Sequence, residues 1–183
     1  MGKQSRKVEI VKYDPEWPNI FRQLSAVISK FLDGLVLRIE HVGSTSVPNL
    51  DGKATIDFDV VIPSRNLLPE IIKRLEKLGY QHRGDLDVPG REAFRRNDDQ
   101  VPQDGSGRTW MSHNLYVCEQ ENDELARHVK FRNYLRTHPT DAHAYAQLKY
   151  ELARQFPYDI DAYAEAKTSF VKEQLAKADK LSE

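Results

Sequence analysis

From residue 54 to residue 62 the chain alternates: Ile56, Phe58, Val60 and Ile62 carry large apolar side chains, and Thr55, Asp57, Asp59 and Val61 stand between them. A period of two is the repeat of a β-strand, so the segment predicts a strand with one apolar face and one face bearing two carboxylates. Such a strand belongs in a sheet whose apolar side is covered by other elements. Two carboxylates two positions apart project in parallel and can jointly hold a hard divalent cation such as magnesium. Upstream, Gly43, Ser44, Thr45 and Ser46 form a turn that offers backbone N–H groups and hydroxyls to phosphate oxygens, with glycine permitting close approach. Lys53 adds a positive charge just before the acidic strand. Paired acids on a strand are most often a solvated edge, and Gly-Ser turns are common; their combination predicts a phosphate cradle beside a metal site.

The rest of the chain supplies layers for that strand. A length of 183 residues suits a single domain, 1–183. Residues 1–7 read as a polar, basic tail and 8–11 as a short strand. Asp14-Pro15, or Pro18 in the first helical position, opens a helix in which Ile20, Phe21, Leu24, Val27, Ile28, Phe31 and Leu32 share one face until Gly34. Strands are predicted over 35–42 and 54–62, with a second amphipathic helix from Pro63-Ser64 to Gly79. That strand–helix–strand order suggests a crossover unit. Short strands follow at 80–84 and 92–96, and a strand over 108–118 pairs with the latter across a long polar loop. After Glu119 the pattern is helical, with helices predicted over 122–136, 139–156 and 157–180, punctuated by Pro139 and Pro157. The expected fold is therefore α+β: a small mixed sheet flanked by helices over 8–118, with a C-terminal helical portion over 119–183.

Charge and composition narrow the function. With 27 basic and 28 acidic residues the formal charge is -1, which gives no general pull towards nucleic acid or an anionic membrane. There is no long apolar run and no secretory signal, and the one cysteine, Cys118, excludes an internal disulfide, so a cytoplasmic protein is expected. Cys118 reads as a passive core residue.

The Gly-Ser turn followed by acids on a strand resembles the nucleotidyltransferase superfamily of the DNA polymerase beta type, in which Asp-x-Asp or Glu-x-Asp follows such a turn; Gly43-Ser44 with Asp57 and Asp59 match it. More closely, the chain resembles the GrpB family of that superfamily. The matching segments are Y-D-P-E-W-P at 13–18, E-H-V-G-S-T-S-V-P at 40–48, H-N-L-Y-V at 113–117, F-R-N-Y-L-R at 131–136 and A-Y-A-E-A-K at 162–167. The resemblance implies a sheet of nucleotidyltransferase type, Ser44 on a triphosphate, and Asp57 and Asp59 as catalytic ligands of magnesium. The implied reaction is attack by an unidentified small-molecule acceptor on the α-phosphate of a nucleoside triphosphate. Superfamily enzymes often carry a third carboxylate on a later strand. Here the strand offers Ser112, Asn114 and Tyr116 on one face and Met111, His113, Leu115 and Val117 on the other, and Glu92 is the alternative acid.

Further candidates stand on the same pattern. His41, in register with Leu37 and Ile39, and His113, on an otherwise apolar face, are each a ligand contact or a hydrogen-bonded structural histidine. Arg132 shares a helix face with Leu125, Val129 and Leu135, and Lys167 with Ile160 and Tyr163. A charge on an apolar stripe needs a partner, so each either pairs with a structural carboxylate or reaches over the cleft to substrate. Of Arg91, Arg95 and Arg96, Arg95 is expected to face the cleft. The alternatives to a transferase are a silent nucleotide or phosphometabolite binder, or a metal-dependent phosphohydrolase.

Overall fold

The structure, a computed structural model, describes residues 7–181, so all but Lys7 of the expected tail lies outside the described residues. Five strands form one mixed sheet in the order β1-β2-β5-β4-β3: β1 Arg38–Val42, β2 Ile56–Ile62, β3 Tyr80–His82, β4 Arg91–Arg96 and β5 His113–Glu119. The central pair, β2 and β5, is parallel and every other pair is antiparallel. The helices are α1 Trp17–Phe31, α2 Leu68–Lys77, α3 Asp123–Thr137, α4 Pro139–Gln155, α5 Ile160–Glu165 and α6 Thr168–Lys180.

The alternation in β2 decides which side of the sheet is the core. Ile56, Phe58 and Val60 are fully buried in one cluster with Leu24 and Ile28 of α1, Ile71 and Leu75 of α2, and Leu115 and Val117 of β5. Each such side chain contributes roughly 1.5–3 kcal/mol when removed from water, which is what binds α1 and α2 to this face. Prolines at the first turn start α1 and α2. The opposite face carries Asp57, Asp59, Asn114 and Tyr116. It is covered at one side by α3, whose Leu125 and Val129 pack on Val61 and Cys118. Between that face and the C-terminal helices a cleft remains.

Three local expectations are revised. The segment 8–11 forms no strand beyond a bridge between Val11 and Gly52, because its other bond, Val8 N–H to the Pro157 carbonyl at 2.8 Å, leads away from the sheet. The last sheet strand begins at His113 and not at 108; before it, Trp110 donates through its backbone N–H to the Asp99 carbonyl at 2.7 Å, and the Arg108 guanidinium lies 3.6 Å from the Trp110 ring centroid. The helix expected over 157–180 divides into α5 and α6, with Asp159 capping the first by accepting from Ala162 N–H at 3.0 Å. The crossover after β2 leads to β3 at the far edge, so the parallel neighbour of β2 is β5. Among the described residues no helix is long and apolar enough to cross a membrane.

Candidate functional site

The parity that buries Phe58 turns Asp57 and Asp59 into the cleft side, and the parallel register sets Asn114 beside Asp57 and Tyr116 beside Asp59. Asn114 Nδ2 donates to Asp57 Oδ1 at 2.7 Å. An amide thus stands where a third carboxylate was sought. Burial raises the Asp57 pKa above the usual carboxylate range, against the Asn114 hydrogen bond and the charge of Lys53. Asp59 is fully buried: its Oδ2 accepts from His128 Nδ1 at 2.8 Å, and among the described residues its Oδ1 has no partner. The other ring nitrogen of His128 lies 3.1 Å from Glu124. Burial opposes a charge on His128, but the hydrogen bonds and charges of Asp59 and Glu124 outweigh it and push its pKa up to about 9. Glu124 is in turn held well below the usual range by hydrogen bonds from Arg127 and His128.

Gly43 has φ of 69° and ψ of -173°, a region that glycine alone occupies readily. A Cβ there would lie 2.4 Å from Asp57 Oδ2, so glycine is what lets the turn rest against the acidic strand. Ser44 then opens a single 3-10 turn, Ser44–Ser46, and its Oγ accepts from Lys149 Nζ at 2.8 Å. Lys149 is 2% exposed, also donates to the Asp51 carbonyl, and places its ammonium 4.6 Å from the Tyr145 ring centroid. A Cβ at Gly52 would approach Ser44 Cβ to 2.7 Å and Lys149 Nζ to 3.3 Å, so a second glycine makes room for this pair. Burial, helped by the charge of Lys167, pushes the Lys149 pKa down to about 7.

Of these groups Gly43, Ser44, Asp57, His128, Tyr145 and Lys149 line a cleft of about 350 Å³. Lys53 and Lys167 flank the Tyr163 ring, at 5.9 and 4.4 Å from its centroid, and among the described residues neither forms an ion pair. Burial and the charge of Lys53 lower the Lys167 pKa to about 8. The lining also includes the apolar and aromatic side chains Val47, Leu50, Phe131, Tyr145 and Val171.

Of the residues expected in a site, Gly43, Ser44, Lys53, Asp57, Arg132 and Lys167 come together on this cleft, with Asp59 beneath it. Arg132 is already engaged: its Nη1 donates to Glu40 at 2.8 Å and to the His41 carbonyl at 2.9 Å, the structural-carboxylate alternative. Thr45 and Ser46 turn inward, where Thr45 Oγ1 meets His41 Nε2 at 2.9 Å and Ser46 Oγ donates to the Gly43 carbonyl at 2.6 Å. His41 stacks on Phe21 at 4.5 Å, and burial lowers its pKa to about 4. His113 lies between the Met111 carbonyl at 2.9 Å and Tyr80 Oη at 2.7 Å, with a pKa likewise lowered to about 4 by burial. Both histidines therefore belong to the neutral core, on the face shared with Phe58. Arg95 is exposed beside Gln81, outside the cleft, and Arg91 is the strand arginine that reaches it, 4.3 Å over the Tyr116 ring. Glu92 has the wrong parity for a third acid: it is buried on the other face with Arg65 and with His82 Nε2 at 2.7 Å.

No site role is read from the sequence for Lys149, His128, Arg91 or Tyr163, although Arg91 is set there beside Arg95 and Tyr163 on the Lys167 stripe. Lys149 had a usable signal, because it falls four residues after Tyr145 and three before Leu152 on the α4 stripe, a charge on an apolar face like Arg132 and Lys167. Among the described residues no group of three or more His, Cys, Asp or Glu could by itself hold a metal ion.

A family profile described as GrpB protein matches residues 7–177. UPF0157 protein PA4798 of Pseudomonas aeruginosa is 36% identical over 172 residues, 94% of this chain and 68% of that protein. UPF0157 protein YqkA of Bacillus subtilis is 33% identical over 167 residues, 91% of this chain, which spans 46% of YqkA. The crystal structure of the conserved protein GrpB from Enterococcus faecalis superimposes with a TM-score of 0.81 at 32% identity, covering 96% of this chain and all of that one.

Proposed function

The chain belongs to the GrpB protein family, and on that premise we propose that its cleft binds a nucleoside triphosphate with magnesium and transfers the nucleotidyl group to a small-molecule acceptor. One observation carries the reading. Lys53 and Lys167, two amino groups that form no ion pair among the described residues, line one small cleft with Asp57, and the buried Oδ1 of Asp59, without a partner among the described residues, lies beneath it. Uncompensated cations call for a polyvalent anion, and unpartnered carboxylate oxygens call for a cation; a metal–polyphosphate supplies both.

Magnesium is commonly held by one or two carboxylates together with substrate phosphates, so Asp57 and Asp59 Oδ1 fit it without a third acid from the chain. When bound, the ion supplies Lewis-acid stabilisation of charge on the transferring group and its leaving oxygen. The chain's own residues do the rest. Lys53 and Lys167 neutralise phosphate oxygens, Ser44 offers its hydroxyl, and Asn114 fixes the Asp57 carboxylate by its 2.7 Å hydrogen bond. Phe131 and Tyr145 add aromatic surface to the lining for a base or an acceptor.

Calorimetric titration of Mg-ATP, Mg-GTP, Mg-CTP and Mg-UTP tests the binding half of this reading. At least one is expected to bind in a magnesium-dependent manner, and the double substitution Asp57→Asn, Asp59→Asn is expected to abolish it. Absence of magnesium-dependent binding to any of the four would overturn the reading. Release of pyrophosphate tests the transfer half, whereas release of inorganic phosphate would point to the phosphohydrolase. A silent nucleotide or phosphometabolite binder is favoured by one feature, the amide of Asn114 at the third-carboxylate position, and binding without turnover is its signature. Salt-sensitive binding of RNA or DNA would replace the small-molecule acceptor.

A further inference from the structure

The site holds a second piece of chemistry. A transfer to a hydroxyl needs somewhere for that hydroxyl's proton to go, and the strand position that would carry a carboxylate for the purpose carries Asn114. Yet the cleft already contains a hydroxyl hydrogen-bonded to a base. Ser44 Oγ lies 2.8 Å from Lys149 Nζ, on a turn that rests against Asp57. Lys149 is 2% exposed and ion-paired to no carboxylate among the described residues, so no salt bridge there holds it charged and only the more distant charge of Asp51 favours its protonated form. Its second hydrogen bond, to the Asp51 carbonyl, is one that a neutral amine still donates, leaving the lone pair for Ser44 Oγ–H. Gly52 keeps the space between the two side chains free.

We propose that Ser44 and Lys149 form a nucleophile–base pair that attacks phosphorus, making Ser44 itself the first acceptor of the nucleotidyl group. In the step, the Oγ–P bond to the α-phosphorus forms and the bond from that phosphorus to the bridging oxygen of pyrophosphate breaks. The Ser44 proton passes to Lys149 Nζ, and pyrophosphate leaves with the bonding pair. The product is a phosphodiester on Ser44, which a later acceptor hydroxyl can displace. A lysine acts as base for a serine elsewhere in this way when its pKa is depressed. Burial and the Lys167 charge bring Lys149 to about 7, while Asp51 pulls the other way.

The nucleotide part of this inference rests on the reading above; the nucleophilic pair does not, and the experiment separates them. ATP labelled on the α-phosphate is incubated with the full chain and magnesium, and the protein is mapped by tandem mass spectrometry. In parallel a fluorophosphonate, which loses fluoride to an activated serine and needs no nucleotide site, is tested on the same protein. The expected result is a nucleotidyl adduct and a phosphonyl adduct on Ser44, both lost in Ser44→Ala. Lys149→Arg keeps a cation near the Asp51 carbonyl but cannot take up a proton, and both adducts are expected to form at least about a hundredfold more slowly in it. Lys149→Met, with thermal unfolding as a folding control, gives the same result if Arg is too large for the site. Labelling is expected to rise through about pH 7, the range in which Lys149 loses its proton; Lys167, Asp51 and Tyr145 face it, with Lys53 beside Lys167, and all are scored by the same profile in Lys149→Arg. Nucleotide binding with no adduct on Ser44, or wild-type labelling rates in Lys149→Arg, overturns the proposal. Phosphonylation of Ser44 without any nucleotide binding supports the pair and sinks the nucleotide reading, and failure of both labels overturns the pair.

Discussion

At the residue scale the site is set by groups whose environment contradicts their type. His128 is charged inside the protein because Asp59 and Glu124 flank it. Its pKa in the folded chain, about 9, lies above the ordinary 6.5, so its contribution is fully present below about pH 6.5 and is lost as pH rises through about 9. Denaturant midpoints measured in chelator should therefore fall across that window, by an amount on the order of a few kcal/mol in stability, and His128→Gln should flatten the slope. An unchanged slope in that variant would remove His128 as the cause. Gly43→Ala places a methyl against Asp57 in a backbone region costly to alanine, so it should cost about 1–3 kcal/mol and weaken any metal-dependent binding together with stability. Single residues were legible where pattern forced a face: Asp57 and Asp59 follow from the period of two alone. His41 and His113 were equally legible as inward-facing, but sequence cannot tell a histidine that meets a ligand from one that meets Thr45 or Tyr80. Arg95 and Arg91 share parity, and what separates them is distance along β4, a property of register and not of composition.

At the element scale the acidic strand works because its other face is immobilised. Phe58 is fully buried between α1, α2 and β5, and Phe58→Ala should destabilise the chain by about 3–5 kcal/mol in urea titration. A cost below about 1 kcal/mol would mean that the core closes around the gap. The helices over 17–31 and 68–77 and the β4–β5 hairpin were readable from apolar spacing, proline starts and glycine stops. The break between α5 and α6 was not, because neither proline nor glycine marks it: Ala166 and Lys167 interrupt a continuous helical pattern. Tertiary packing decides it, with Tyr163 buried against α4 while α6 turns to run along α3. The consequence is local and functional, since the break is what brings Lys167 beside Lys53 on the Tyr163 ring. Lys167→Met should retain the fold, as judged by circular dichroism, and weaken polyphosphate binding by about tenfold or more, the effect of losing one charge-assisted contact.

At the scale of the whole molecule, the sheet side supplies Asp57 with Lys53 and Arg91, and the C-terminal helices supply Lys149 and Lys167, so the cleft is complete only when both are folded together. A ligand present at a hundred times its dissociation constant should add about 2.7 kcal/mol to stability, read as a rise in melting temperature that requires magnesium and is absent in the Asp57, Asp59 double variant. A rise of equal size in that variant would separate the ligand from the acids. That only helices follow β5 among the described residues was visible in the sequence as a change from mixed to helical patterning after Glu119, whereas the cleft was not, because it depends on which residues of distant segments meet. The N-terminal segment joins these regions. Its Val8 amide is bonded to Pro157 at the α4–α5 corner, and Val11 is bridged to Gly52 in the loop that Lys149 ties to Ser44. The amides of Val8, Val11 and Gly52 are therefore natural reporters: their deuterium uptake reads the latching of one half on the other, and slower exchange at Gly52 on adding a ligand would register occupancy of a site none of these amides touches.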